Sequence, residues 1–262
     1  MTTPSPFCWY ELMTPDARAA TNFYSHVVGW AAKKAEVPDN PVDYTLLQVG
    51  DEAVAGLMEL DDAACAAGAK PGWLGYVQVD DTDAAAAKAK SLGGSVYVGP
   101  MDIPHVGRFA VIGDPHGAAI GLMKWAQPMD APDIAKMMSR GHTGWHELMA
   151  GDLEADFAFY AGLFGWTKAQ DMDMGAMGAY RIFTAGGDNG IGGMMTKPEQ
   201  VPVPNWGYYF AVEDIDAAIA RVKGKGGQII NGPMEVPGGA WIIQGLDPQG
   251  VYFALVAPPK AS

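Results

Sequence analysis

Two carboxylates stand where this chain could do chemistry. Glu11 lies in Trp9-Tyr10-Glu11-Leu12-Met13, and Glu147 in Trp145-His146-Glu147-Leu148-Met149. Both stretches read as strands, whose side chains alternate between faces, so Glu11 shares a face with Trp9 and Met13, and Glu147 with Trp145 and Met149. A carboxylate on such an apolar wall has its pKa raised by desolvation, which makes a Glu a useful general base near neutrality. Each Glu would then take a proton from, or bind, a hydroxyl or amine of a small ligand. The plainer reading is a solvated or salt-bridged residue, with Arg108 or Lys124 as a neutralising partner for Glu11.

The other reactive side chains are scattered. His26 falls on a helix, His142 in a linker, His116 in a turn, and His146 on the face opposite Glu147. His105 sits in Pro104-His105-Val106-Gly107-Arg108, with Arg108 beside it as a cation for an anionic group and Trp241 at the matching place in the second half. No two histidines have the local spacing of a metal pair. Cys8 and Cys65 lie in no Cys-x-x-Cys pair and at unrelated points of the chain, so no disulfide framework is expected.

The elements that must position these residues occur twice. Trp9 to Trp30 and Trp145 to Trp166 match without a gap, through Asp16 and Asp152, Phe23-Tyr24 and Phe159-Tyr160, to Gly29-Trp30 and Gly165-Trp166. Phe7 to Met13 reads as a strand, Ala17 to Val28 as a helix capped by Asp16, and Trp30 opens a second strand. Tyr44 to Val49 and Ala53 to Leu60 supply two more. The order then recurs: Trp73 to Val79, a helix from Asp81 or Thr82 to Leu92, and strands at Ser95 to Val98, Arg108 to Gly113 and Ala118 to Lys124. Each half is thus β-α-β-β-β twice over. Two modules are expected, residues 7–125 and 142–257, joined by a linker at 126–141 that contains Pro128 and Pro132 and a short helix at Ile134 to Met138. The cluster of Met172, Met174 and Met177 reads as a lid or a plain hairpin.

Composition narrows the partners. The net charge is −13, with no basic cluster, which argues against nucleic acid, because that binding rests on phosphate neutralisation. No apolar stretch approaches the ~20 residues of a membrane span. The N-terminal leader lacks a basic region followed by an apolar run, so a cytoplasmic location is the expectation. The expected partner is a small molecule, and the expected state a monomer or homodimer.

The repeated marks resemble the vicinal oxygen chelate superfamily of glyoxalases, bleomycin-resistance proteins and extradiol dioxygenases. They are Asp16…Phe23-Tyr24…Gly29-Trp30, Val79-Asp80-Asp81, Gly93-Gly94, Gly99-Pro100 and Asp114-Pro115-x-Gly117, with their second-half copies. The resemblance implies an α+β fold in which each pair of βαβββ units curls into a cupped mixed sheet around a cavity. It also implies where a metal would sit: at Trp9, Leu74 and Gly121 in one half, and at Trp145, Gly207 and Ala254 in the other. None of these side chains is a donor for a divalent ion, so no metal and no other cofactor is expected.

If Trp9 and Trp145 point into the cups, the wall of each is completed by Tyr76 or Tyr209, which would orient a ligand on Glu11 or Glu147, and by Met58 or Met195. Three functions follow. One is a binder of a small apolar or aromatic ligand. Another is a metal-free lyase or isomerase with Glu11 or Glu147 as base. A third is a metalloenzyme with rearranged ligands such as Glu11 with His105.

Overall fold

The computed structural model describes residues 5–38, 42–66, 68–127 and 133–260. The first four leader residues, and Pro128 and Pro132 of the linker, lie outside them.

The first half runs β1 (Phe7–Thr14), α1 (Ala17–Val27), β2 (Ala31–Lys34), β3 (Tyr44–Val49), β4 (Glu52–Glu59), α2 (Asp62–Ala66), β5 (Gly72–Gln78), α3 (Thr82–Ser91), β6 (Ser95–Ile103), β7 (Gly107–Gly113) and β8 (Ala119–Trp125). The second half runs β9 (Thr143–Ala150), α4 (Leu153–Phe164), β10 (Thr167–Asp173), β11 (Ala179–Thr184), β12 (Gly192–Thr196), β13 (Asn205–Ala211), α5 (Ile215–Gly224), β14 (Gln228–Glu235), β15 (Trp241–Leu246) and β16 (Tyr252–Ala257). Asp16, Asp81, Asp152 and Asp214 cap the four longer helices, each accepting a backbone N–H three residues on at 2.7–2.9 Å. Each such cap stabilises its helix by about 1 kcal/mol.

Each half folds into one open eight-stranded sheet, in the order β2-β3-β4-β1-β5-β8-β7-β6 and β10-β11-β12-β9-β13-β16-β15-β14. The two βαβββ units of a half join through the antiparallel pair β1–β5 or β9–β13, and within a unit the outer strands return parallel, β1 beside β4 and β5 beside β8. This is the expected α+β arrangement of tandem cupped sheets. Three details differ from the sequence reading. Between β4 and β5, where the sequence reading names no element, lies a short helix, α2, opened by Asp61 accepting from the Ala64 N–H at 2.6 Å. β6 continues past Gly99-Pro100 to Ile103, because it is an edge strand whose two register shifts absorb the proline. Among the described residues of the linker the expected helix at Ile134 to Met138 is a 3₁₀ turn at Ile134–Lys136.

The convex faces of both sheets, with α1, α3, α4 and α5, bury one shared core. Helices pair across it, α1 with α5 and α3 with α4, and β5 touches β13. The polar bonds of this core are reciprocal. The Tyr24 hydroxyl donates to Asp247 at 3.2 Å and Tyr160 to Asp114 at 3.0 Å. Trp73 and Trp206 donate to those same tyrosine oxygens at 3.1 and 2.9 Å. The Trp30 indole reaches the Gly141 carbonyl and Trp166 that of Ser5, both at 2.7 Å. Such pairing of like with like is the mark of a two-fold interface, here built within one chain. Tyr10 and His146 hold equivalent positions and meet each other, 2.5 Å from hydroxyl to Nε2. They therefore face the other module across this axis, not a helix of their own.

Among the described residues no helix is long and apolar enough to cross a membrane.

Candidate functional site

The concave face of each sheet lies on the far side from the shared core. Its apolar clusters are separate: one around Leu74, Tyr76 and Met123, the other around Tyr209, Ile242 and Ala254. A register shift between Phe7 and Trp9 sends Phe7 into the shared core and Trp9 into the first cup. A matching shift at Tyr209 and Phe210 does the same for Trp145.

In the first cup Tyr76 donates to Glu11 Oε1 at 3.0 Å, and Tyr44 bonds the same carboxylate. The Trp9 indole donates to Tyr44 at 2.8 Å. In the second cup Tyr209 donates to Glu147 Oε2 at 2.6 Å, Tyr180 to Oε1 at 3.1 Å, and Trp145 to Tyr180 at 2.8 Å. Each cup thus holds the same four-residue chain, Trp to Tyr to Glu from Tyr. The tyrosines, and not Arg108 or Lys124, are the partners of Glu11.

Burial holds both carboxyl groups above the ordinary glutamate range, and the phenol donors offset part of that shift. Burial first, and then the neighbouring carboxylate charge, push Tyr44, Tyr76, Tyr180 and Tyr209 well above the usual tyrosine value, so these phenols stay protonated donors. A carboxylate offers about four lone-pair sites. Two or three donors leave each Glu with acceptor capacity for a ligand.

Glycines make room for the tyrosines. A Cβ on Gly56 or Gly193 would overlap the ring of Tyr44 or Tyr180, and one on Gly121 would overlap Tyr76. The place at Gly121 that the sequence left bare is therefore filled by the Tyr76 ring. Of the three positions implied for a metal in the first cup, Trp9 bonds Tyr44, Leu74 is buried opposite Glu11, and Gly121 lies beneath Tyr76. In the second cup Trp145 bonds Tyr180, Gly207 lies opposite Glu147, and Ala254 lies opposite Tyr209. Two indoles, an isobutyl group, a methyl and two glycines do not fit a divalent ion. Among the described residues no three His, Cys, Asp or Glu side chains gather as a metal set.

The remaining expected residues divide. Met13 pairs with Met58, and Met149 with Met195, on the cup rows beside Glu11 and Glu147. Arg108 does not line the cup. Strand alternation puts Phe109 there, against Tyr76, while Arg108 is clamped by Asp83 at 2.7 Å and Asp102 at 3.0 Å. Trp241 likewise faces the convex side, with Lys260 4.4 Å above its ring, and Ile242 takes the cup position. His105 is exposed in the turn between β6 and β7, at φ 61°. The methionine cluster forms the β10–β11 hairpin, with Met172 opposite Tyr180 and Met177 exposed at the tip. Cys8 lines the first cup, its thiol pushed up to about 12 by burial, and Cys65 is exposed.

Sequence reading missed Tyr44 and Tyr180, although they stand at matching places in the repeat. It also missed a polar arm in the second cup. Gln244 donates to Tyr209 at 2.6 Å and to Glu147 at 3.3 Å, and Asn231 donates to Gln244 at 3.0 Å. By strand register the first cup has Val111 and Val98 there.

Comparison with known proteins agrees with this build. The family model described as "Glyoxalase/Bleomycin resistance protein/Dioxygenase superfamily" matches residues 7–122 and again 140–255. "Putative glyoxylase CFP32" of Mycobacterium tuberculosis is 35% identical over 251 residues, covering 95% of this chain and 94% of that protein. "Anthracycline biosynthesis protein DnrV" of Streptomyces peucetius is 30% identical over 269 residues, covering 97% and 93%. Among solved structures, the 2,3-dioxygenase LapB from Pseudomonas sp. KL28 aligns with TM-score 0.65 at 14% identity, over 99% of this chain and 94% of that one. The Mn(II)-bound glyoxalase from Novosphingobium aromaticivorans aligns with TM-score 0.60 at 16% identity, over 98% and 83%. At such identities the structures speak for the fold alone. Two matches of the family model, one on each half, make the chain a member of the glyoxalase/bleomycin resistance protein/dioxygenase superfamily.

Proposed function

We propose that each cup binds a small, mostly aromatic organic molecule, held against apolar side chains and anchored by a hydrogen bond to Glu11 or Glu147. The observation that carries this reading is the Trp–Tyr–Glu–Tyr chain, built at equivalent positions in both cups on an otherwise apolar wall. Val98 and Met101 support it. They fall on the concave rows of the first sheet and remain 38% and 49% exposed, a surface that a ligand would take out of water. The name of one relative points the same way, since anthracyclines contain flat fused rings.

The raised carboxyl groups favour a second reading, a metal-free lyase or isomerase with Glu11 or Glu147 as base. Glu11→Gln and Glu147→Gln separate the two. A binding role survives the change with a modest loss of affinity, read by quenching of Trp9 and Trp145 fluorescence. A general-base role loses about two to four orders of magnitude in turnover. If neither the wild type nor the variants bind any aromatic probe, the binding reading is wrong.

A further inference from the structure

The two cups share their carboxylate but not its surroundings, and the difference lies in which hydrogen-bonding atoms remain free. The Gln244 amide nitrogen donates to the Tyr209 oxygen at 2.6 Å and, over a longer 3.3 Å, to Glu147 Oε2, two acceptors that are themselves only 2.6 Å apart. The Gln244 carbonyl oxygen accepts from Asn231 and keeps one lone pair. Glu147 Oε1 takes one phenol and also keeps capacity. The second cup therefore offers two acceptors, the Glu147 carboxylate and the Gln244 carbonyl. At the positions that match Gln244 and Asn231 the first cup has Val111 and Val98, which offer no acceptor.

From this asymmetry we infer that the second cup selects aromatic molecules carrying two separated hydrogen-bond donors, hydroxyl or amino, whereas the first takes rings with one. The inference rests on the reading of the cups as ligand sites and names the ligand class that each admits. Its physical basis is the cost of unmatched polar groups. A second hydroxyl pressed against Val111 loses its water and gains no partner, whereas against the Gln244 carbonyl it makes a hydrogen bond. Gln244 is then a specificity-determining residue, and Asn231 positions it from the rim. Gln244 is half-buried and Asn231 exposed, so the arm runs from solvent to the carboxylate.

The test uses 2-naphthol and the 1,6-, 2,6- and 2,7-dihydroxynaphthalenes as probes, titrated into the full-length protein by calorimetry. Glu11→Gln and Glu147→Gln assign each binding event to its cup. At the second cup at least one dihydroxy isomer should bind about tenfold tighter than 2-naphthol, the worth of one added hydrogen bond. At the first cup none should gain. Gln244→Val should abolish the second cup's advantage. If that variant does not fold, the double variant Val98→Asn with Val111→Gln decides, by conferring the advantage on the first cup. Binding of the probes with no dihydroxy advantage at the second cup, an advantage that persists in Gln244→Val, or none conferred by the double variant would overturn the inference and leave the binding reading standing. Absence of heat with every probe would remove the binding reading itself.

Discussion

The hydroxyl of Tyr24 donates to Asp247 in the opposite module at 3.2 Å, and neither residue touches a cup. Asp247 Oδ1 closes its own Asp-Pro-x-Gly turn by accepting the N–H groups of Gln249 and Val251, at 2.8 and 2.9 Å, while Oδ2 takes the tyrosine. Tyr160 and Asp114 repeat the arrangement. One motif thus folds the turn and locks the two halves together.

Removing the hydroxyl should weaken the lock. Tyr24→Phe leaves Asp247 Oδ2 and the Trp73 indole without their buried partner. A cost of about 1–3 kcal/mol is expected, and Tyr160→Phe should match it. Urea titration reads both. Unchanged midpoints would show that the bond contributes nothing to the joined modules.

This arrangement explains what was legible in the sequence. Phe23-Tyr24, Gly29-Trp30 and Asp114-Pro115-x-Gly117 recur in both halves because the shared core needs them twice, so they announce the fold and say little about the cup. The Trp9, Glu11 and Met13 face was legible because β1 alternates cleanly and its copy, β9, agrees. Arg108 and Trp241, expected as ligand contacts, fall on the other face, because a strand's phase is fixed by its neighbours and a slip of one residue exchanges the two sides. Tyr44 and Gln244 were missed for the same reason. Their faces become known only once β3 is registered on β4, and β15 on β16.

His146 should make stability fall in acid. It is buried between Phe7, whose ring stacks 4.1 Å away, and the Tyr10 hydroxyl, and its Nδ1 lies 2.6 Å from the Ile191 carbonyl. Burial pushes its pKa down to about 4, against 6.5 for a free histidine. The folded form thus binds fewer protons than the unfolded chain between these values. Its contribution is fully present above pH 6.5 and is lost as the pH falls toward about 4, about 3 kcal/mol in all. His116, raised mainly by its bond to Asp156, and the raised carboxyl groups of Glu11 and Glu147 act with the opposite sign. The contribution of His146 is therefore the difference between wild type and His146→Gln, measured by denaturant titration at several pH values. Parallel pH curves for the two proteins would refute the assignment.

Gly56 and Gly193 should be irreplaceable. Alanine at either drives a methyl into the ring of Tyr44 or Tyr180, which must then leave its glutamate or shift the strand. Overpacking of this kind costs about 1–3 kcal/mol. Gly72→Ala is the control, since nothing lies within 4 Å of its added methyl. Thermal melts and probe binding to the affected cup should both deteriorate for the first two and not for the third. Equal behaviour of all three would mean that the tyrosines do not need the glycines.

Metal should not stay on this protein. A divalent ion at neutral pH needs several imidazole, carboxylate or thiolate donors converging on one point. The cup positions implied for such donors carry Trp9, Leu74 and Gly121, or Trp145, Gly207 and Ala254. Glu11 and Glu147 remain, each a single carboxylate already accepting two or more hydrogen bonds from tyrosine or glutamine. Binding an ion there would break those bonds and supply one ligand in return. Incubation with manganese, nickel, zinc or iron followed by desalting should leave well below one equivalent by elemental mass spectrometry, and a chelator should not change the affinity for 2-naphthol. Near-stoichiometric retention, abolished by Glu11→Gln or Glu147→Gln, would mean that the tyrosines yield to a metal and that the cups work by metal-assisted chemistry.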